Sequence, residues 1–135
     1  MARDTDGIGE GGRPGAFLRI PLGPDIAVGP GKADLLEGIR ETGSIAAAGR
    51  RMGMSYKRAW MLVETMNRCF EAPLVETSRG GREQGGARLT EGGARVLALY
   101  RAMQEKTQHA VAADMEAMRA MLRDPADRGD MSERK

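Results

Sequence analysis

Apolar residues recur at helical spacing in four stretches of the chain. The pattern predicts helices over residues 32–42, 45–52, 56–70 and 91–122. In the third stretch the apolar positions fall on one helix face, which is therefore expected to be buried; it carries Ala59, Val63, Met66 and Phe70. Three hydroxyl residues directly precede predicted helices and are expected to cap them: Ser44, Ser55 and Thr90.

Short extended segments flank these helices. Residues 17–20 and 26–28 are strand candidates around a turn at 23–25, and 74–77 and 87–89 form a second candidate pair. The sequence SRGGREQGG between the second pair is typical of a hairpin tip. The order of three helices, a hairpin and a long last helix predicts a mainly α fold with small β hairpins, a winged helix-turn-helix.

Composition divides the chain into one domain and two tails. Residues 1–15 are rich in glycine and charge, so we expect a disordered N-terminal tail. Residues 16–122 are expected to form the winged helix-turn-helix domain. Its last helix, about 91–122, carries an uncovered apolar stripe and is expected to pair two copies into a homodimer. Residues 123–135 are expected to be a flexible tail.

The charge is nearly balanced over the chain but not along it. The formal net charge is +2. The segment from Gly49 to Trp60 nevertheless contains only cations among its charged residues: Arg50, Arg51, Lys57 and Arg58. Such a patch attracts phosphate, and it lies where two predicted helices meet at Gly53.

The helix that starts after Ser55 has the properties of a recognition helix. A DNA major groove admits one helix, whose N-terminal residues and N–H groups point towards the nucleic acid. We expect four consecutive residues to contact double-stranded DNA: Ser55, Tyr56, Lys57 and Arg58. Two arginines of the glycine-rich hairpin are expected to contact phosphates as part of a wing: Arg79 and Arg82.

The residue types present argue against an enzyme. Cys69 is the only cysteine and His109 the only histidine, so no disulfide, metal site or cofactor is expected. The glycine-rich hairpin lacks the G-x-x-x-x-G-K-[ST] spacing of a phosphate loop. Apolar runs are too short for a membrane span and the N-terminus has no secretory signal, so the expected location is the cytoplasm.

Three other interpretations are compatible with parts of the pattern. The helices around Gly53 also fit a helical hairpin whose charges only face solvent. A winged-helix module that docks protein without specific DNA binding would favour exposed apolar residues over cations at 57, 58, 79 and 82. A small oxyanion-binding protein is the third possibility, but the high helical content argues against it.

Several motifs together are similar to a known family. They are SIAAAGRRMGMSYKRAW, then MNR, LVET, a glycine-rich loop and LTEGGARVLALY. This set resembles the N-terminal domain of the ModE-type molybdate-responsive transcriptional regulators and, more broadly, LysR-type winged helices. The resemblance covers about Phe17 to Leu122. It implies a sequence-specific regulator of molybdenum transport or metabolism genes, which binds operator DNA as a homodimer through its long last helix.

Two features depart from the family pattern. Glu83 and Gln84 interrupt the glycine run of the hairpin. The sequence ends at Lys135 without an S-A-R-N-like segment, whereas full-length regulators of this type continue into a molybdate-binding region. We therefore expect that this chain alone does not bind molybdate tightly.

Overall fold

The computed structural model describes residues 18–78 and 86–129. Strands β1 (Ile20–Gly23) and β2 (Ile26–Val28) are followed by helices α1 (Pro30–Thr42), α2 (Ile45–Arg51) and α3 (Tyr56–Cys69). Strands β3 (Val75–Ser78) and β4 (Gly86–Leu89), helix α4 (Glu91–Arg119) and a 3₁₀ turn (Pro125–Asp127) complete the described chain. Each strand pair is an antiparallel hairpin, and the predicted winged helix-turn-helix is confirmed. The expected tail at 1–15 lies outside the described residues.

The core lies between α1, α2 and α3 and is closed by the hairpins and the start of α4. Its largest fully buried side chains are Leu35, Leu36, Ile39, Val63, Met66, Leu74 and Leu97. The apolar face predicted for α3 is buried at Ala59, Val63 and Met66. Phe70, the last member of that predicted row, follows the helix and is half-buried.

Small residues allow α2 to pack very close to both neighbouring helices. A Cβ atom built on Gly38 of α1 would lie 3.0 Å from the Cβ of Ala48 in α2. A Cβ atom on Gly49 of α2 would lie only 2.9 Å from the Cβ of Ala59 in α3. Because side chains do not tolerate the second distance, glycine at position 49 fixes how closely α3 packs on α2.

The predicted caps and turns are present. The hydroxyl groups of Ser44, Ser55 and Thr90 each accept the N–H of the third residue that follows, at 3.0, 3.1 and 3.0 Å. Gly43 and Gly53 have φ values of 74° and 73°, a left-handed conformation in which a Cβ atom is unfavourable. Glycine therefore sets both chain reversals around α2.

The first strand begins later than the sequence predicts. The apolar pattern places it at 17–20, whereas β1 covers Ile20–Gly23. Pairing starts with Ile20 opposite Val28 and becomes irregular between Pro21 and Gly23. The strand therefore consists of the residues next to the turn. Leu18 lies before β1 and packs against the core.

The last helix ends earlier than the sequence predicts. Apolar spacing continues to Leu122, but α4 ends at Arg119. The N–H groups of Met121 and Leu122 bond carbonyls three residues back, at 3.0 and 3.1 Å, in the manner of a 3₁₀ turn. The apolar pattern of the sequence therefore continues for three residues after the α-helix has ended.

The domain covers only the first part of α4. Gly93, Leu97 and Tyr100 are the buried residues of this helix. At 29 residues, α4 is about 44 Å long. Its second half therefore extends from the domain without burying a side chain in the described chain.

Two polar anchors hold α4 against the domain. The Tyr100 hydroxyl donates a 2.6 Å hydrogen bond to the carbonyl of Leu18, which precedes β1. The Arg101 guanidinium lies 2.8 Å from Asp34 and 2.6 Å from Glu37 of α1. Burial lowers the pKa of Arg101, but its hydrogen bonds to these carboxylates outweigh burial and raise it above the ordinary value. The anchors fix the direction in which α4 leaves the domain.

Candidate nucleic-acid interface

A short turn joins α2 to α3 and holds the first turn of α3 in place. Gly53 and Met54 donate their N–H groups to carbonyls of α2 at 3.0 and 2.9 Å. Ser55 then caps α3 through the N–H of Arg58. Together with the close approach at Gly49, these bonds give the start of α3 a defined position on the domain.

The four residues predicted at the start of α3 all lie at the surface. They are Ser55, Tyr56, Lys57 and Arg58, each of them exposed. The Tyr56 ring stacks on Trp60, with centroids 6.3 Å apart and 25° between the planes. Because Trp60 is half-buried against the core, the stack supports an otherwise exposed Tyr56. The structure brings these four residues together and confirms the predicted capping role of Ser55.

Three further residues continue the exposed side of α3. The row Lys57, Met61, Glu64 and Arg68 is exposed along the whole helix and is called the outward face below. At 3.6 residues per turn this row lies opposite the buried face of α3. The sequence patterns did not predict Met61, Glu64 or Arg68 as members of the site. The buried row of α3 was sufficient to predict that these residues are exposed, because the opposite side of the helix must point away from the core.

Carboxylates distant in sequence neutralise part of the positive charge. The Arg51 guanidinium lies 2.7 Å from Glu41 of α1, and that of Arg88 in β4 lies 2.7 Å from Glu76 on the paired strand. Three cations of the patch form no ion pair within the residues that the structure describes: Arg50, Lys57 and Arg58. Within this patch the unpaired charge therefore lies at the end of α2 and the start of α3.

The β3–β4 hairpin, called the wing below (residues 75–89), is tied to the end of α3 by Asn67. The Asn67 carboxamide accepts the N–H groups of Leu74 and Val75 at 2.8 and 3.1 Å and donates to the Val75 carbonyl at 3.0 Å. The sequence did not predict this role of Asn67, because a single polar side chain in the MNR motif is not part of a periodic pattern. The predicted contacts Arg79 and Arg82 lie outside the described residues.

Other kinds of site are not found among the described residues. No group of three or more histidine, cysteine, aspartate or glutamate side chains there is placed to hold a metal ion. No helix in that part of the chain is long and apolar enough to span a membrane. His109 is exposed on α4, and Cys69 is half-buried at the end of α3.

Part of the chain is similar to known proteins. Residues 33–94, from α1 to the first turn of α4, match the family model for bacterial regulatory helix-turn-helix proteins of the lysR family. The molybdenum-pterin-binding protein MopA of Rhodobacter capsulatus is 51% identical over 71 residues. The molybdenum transport protein ModE of Azotobacter vinelandii is 40% identical over 97 residues. The DNA-binding transcriptional dual regulator ModE of Escherichia coli K12 is 36% identical over 94 residues.

These relatives are much longer than the region that matches. The alignments cover 53%, 70% and 70% of this chain but only 27%, 36% and 36% of the three relatives, in the same order. Among solved structures, the crystal structure of the CbnR_DBD–DNA complex is similar, with a TM-score of 0.51 and 22% identity. That likeness covers 64% of this chain and 94% of the other and concerns the fold.

Proposed function

We propose that this chain, whose residues 33–94 carry a LysR-type helix-turn-helix domain, is a ModE-like, sequence-specific DNA-binding regulator of molybdenum transport or metabolism genes. The proposal rests on the exposed start of α3, which packs closely on α2 and whose Lys57 and Arg58 form no ion pair within the described residues. The relatives are named as regulators, transport proteins and binding proteins, which supports the expectation of a protein without enzymatic activity. A DNA-binding regulator acts where the chromosome is, in the cytoplasm.

In this function α3 lies in the major groove with its outward face against the bases. Lys57 and Arg68 offer donors, Glu64 offers an acceptor and Met61 offers an apolar surface, which are the kinds of group that base edges and thymine methyls recognise. Lys57 and Arg58 lie at the helix end that enters the groove first. Ser55 and Tyr56 contact the adjacent backbone or base edges at the same end.

The wing contacts the phosphate backbone beside α3. Asn67 sets the position of β3 relative to α3, and the Ala87 N–H donates a 2.9 Å bond to the Gly43 carbonyl between α1 and α2. These hydrogen bonds hold the base of the wing at a defined position on the domain. In the proposed complex Arg79 and Arg82 neutralise phosphates from this position.

Two copies of the chain form the DNA-binding unit through α4. Val111, Met115 and Met118 continue the same face of the helix that buries Leu97 and Tyr100 in the domain. Met118 is 68% exposed and Val111 and Met115 are half-buried, so the described part of a single chain does not fully cover this face. A second copy of α4 would cover it and would place two copies of α3 on half-sites about one turn of DNA apart.

We expect molybdate to bind weakly, if at all, to this chain by itself. A doubly charged oxyanion needs several converging donors in a shielded pocket. The hydroxyls of Ser44, Ser55 and Thr90 already cap helices. Calorimetric titration with molybdate tests this expectation, and stoichiometric binding at micromolar concentration would contradict it.

In vitro selection from a random-sequence duplex library tests the proposed function. The wild-type chain should enrich a two-fold-symmetric motif, which should also occur upstream of molybdenum transport genes. A Lys57→Ala/Arg58→Ala variant should enrich nothing, while Lys106→Ala, a cation on the exposed side of α4, should behave as wild type. A wild-type library that stays random after several rounds would contradict sequence-specific binding.

A winged-helix module that docks protein is the second candidate. Two large exposed side chains on α3 favour it, since Tyr56 is 57% and Met61 is 54% exposed. Such a module would leave the duplex library unselected and would lack the steep salt dependence of phosphate contacts. The same selection therefore separates the two candidates.

A further inference from the structure

A second basic surface lies beside α3, on the flank away from the wing. The β1–β2 hairpin, the start of α1 and one side of α3 enclose an open depression of about 590 Å³, called the cleft below. Its lining includes Arg19 before β1, Lys32 of α1 and Arg58 with Leu62 of α3. The cleft is therefore built in part by the N-terminal hairpin, which precedes residues 33–94 of the helix-turn-helix match.

The charge of the cleft is positive. Arg19, Lys32 and Arg58 line it together with one carboxylate, that of Asp25. Within the described residues none of the three cations forms an ion pair. Glycine at position 31 adds open space, since a Cβ atom there would have no neighbour within 4 Å. A cleft with this lining fits an extended anion that is solvated on its outer side.

The cleft and the wing lie on opposite flanks of α3. Arg58 and Leu62 point to one side of the outward face, whereas Asn67, which bonds the strand β3, points to the other. A helix in the major groove has one phosphate backbone on each side, because the groove is only about 12 Å wide. In the proposed complex the wing contacts one of these phosphate backbones, and the cleft faces the position of the other.

We infer that the cleft is a second phosphate-binding surface, which holds the DNA backbone on the flank of α3 opposite the wing. Arg19 and Lys32 contact successive phosphates, and Arg58 joins the cleft to the base-reading end of α3. The N-terminal hairpin thus acts as a second wing. This inference rests on the proposed DNA-binding function and adds Arg19 and Lys32 to its contacts.

Salt dependence of DNA binding tests the cleft, because each phosphate contact contributes a known slope. The affinity of the full chain for a short duplex of random sequence is measured by fluorescence anisotropy between about 50 and 200 mM salt. The Arg19→Gln/Lys32→Gln variant removes both charges and keeps part of each apolar stem. An Arg40→Gln/Arg123→Gln variant removes the same charge at two exposed positions that do not line the cleft. Thermal melts confirm that both variants fold.

The cleft variant should lose about 1.8 from the slope of log K against log salt for every bound subunit, at about 0.9 per contact. Its loss of affinity should be the same on random duplex and on selected duplex, because phosphate contacts carry no sequence information. An Arg19→Lys/Lys32→Arg variant should keep the wild-type slope.

A slope of the cleft variant equal to that of the Arg40/Arg123 control would overturn the inference while leaving α3 as the reading helix. The inference would also be overturned if the cleft variant bound DNA as wild type does and lost affinity only for an acidic peptide or other protein ligand. Absence of DNA binding by the wild-type chain at about 50 mM salt would instead contradict the proposed function and the cleft with it.

Discussion

At the scale of single residues, Asn67 joins two parts of the proposed interface. Its one carboxamide makes three hydrogen bonds to the backbone at Leu74 and Val75. Because Asn67 lies on the last turns of α3, these bonds fix the start of the wing relative to the recognition helix. Asn67 therefore has a positioning role, which does not require that its own side chain contact DNA.

Asn67→Ala should lower the free energy of unfolding by about 2 kcal/mol, since it leaves two N–H groups and a carbonyl without partners. Asn67→Ala should also reduce the sequence-independent part of DNA binding, because the wing loses the hydrogen bonds that position β3 relative to α3. Asn67→Asp, which keeps the acceptor, should lose less stability. Chemical denaturation measures these differences, and equal stability of Asn67→Ala and wild type would refute the role.

At the scale of elements, the fold depends on how closely α2 and α3 approach. Gly49→Ala would place a Cβ atom 2.9 Å from that of Ala59 and should destabilise the protein by about 1–3 kcal/mol. Gly31→Ala is the matched control, because its Cβ atom meets nothing within 4 Å in the first turn of α1. Thermal melts should therefore show a lower Tm for the first variant only. A Tm unchanged by Gly49→Ala would show that α2 and α3 can separate freely.

The anchor between α4 and the N-terminal hairpin should depend on pH. Burial raises the pKa of Tyr100 above its ordinary value of 10.0, although the Arg101 charge acts in the opposite direction. The neutral hydroxyl donates to the Leu18 carbonyl, so this stabilisation is complete below pH 10 and is lost as pH rises through the folded-state pKa.

Tyr100→Phe should lower the free energy of unfolding by about 1 kcal/mol at neutral pH. The difference from wild type should shrink above pH 10, as wild-type Tyr100 ionises. Denaturant titrations over a pH series measure this difference. A difference that stays constant or grows with pH would contradict the assignment of the anchor to this hydroxyl.

Local sequence predicts most of the elements and less of the interface. Ser44, Ser55 and Thr90 identify the helix starts, because capping depends on residues only three positions apart. The exposed cluster at the start of α3 follows from the same local signals. The pairing of Arg51 with Glu41, the bonds of Asn67 to β3 and the cleft around Lys32 depend on contacts between elements, which periodicity does not contain.

At the scale of the whole molecule, the proposed pairing through α4 would bring two copies of α3 to DNA together. Met115→Glu would place a charge in the apolar stripe and should convert the proposed dimer into a monomer. Ala113→Glu, an exposed position on the opposite side of α4, is the matched control. Light scattering at micromolar concentration distinguishes the two states. A wild-type monomer whose mass does not change on DNA would contradict pairing through α4.

If the exposed start of α3 reads DNA sequence, the Lys57→Ala variant should lose sequence specificity. Affinities for the selected duplex and for a scrambled duplex of equal length are compared between this variant, wild type and the Lys106→Ala control. Lys57→Ala should lose about 1–3 kcal/mol of binding free energy on the selected duplex and much less on the scrambled one. Equal losses on both duplexes would contradict it, because Lys57 would then contact only phosphate.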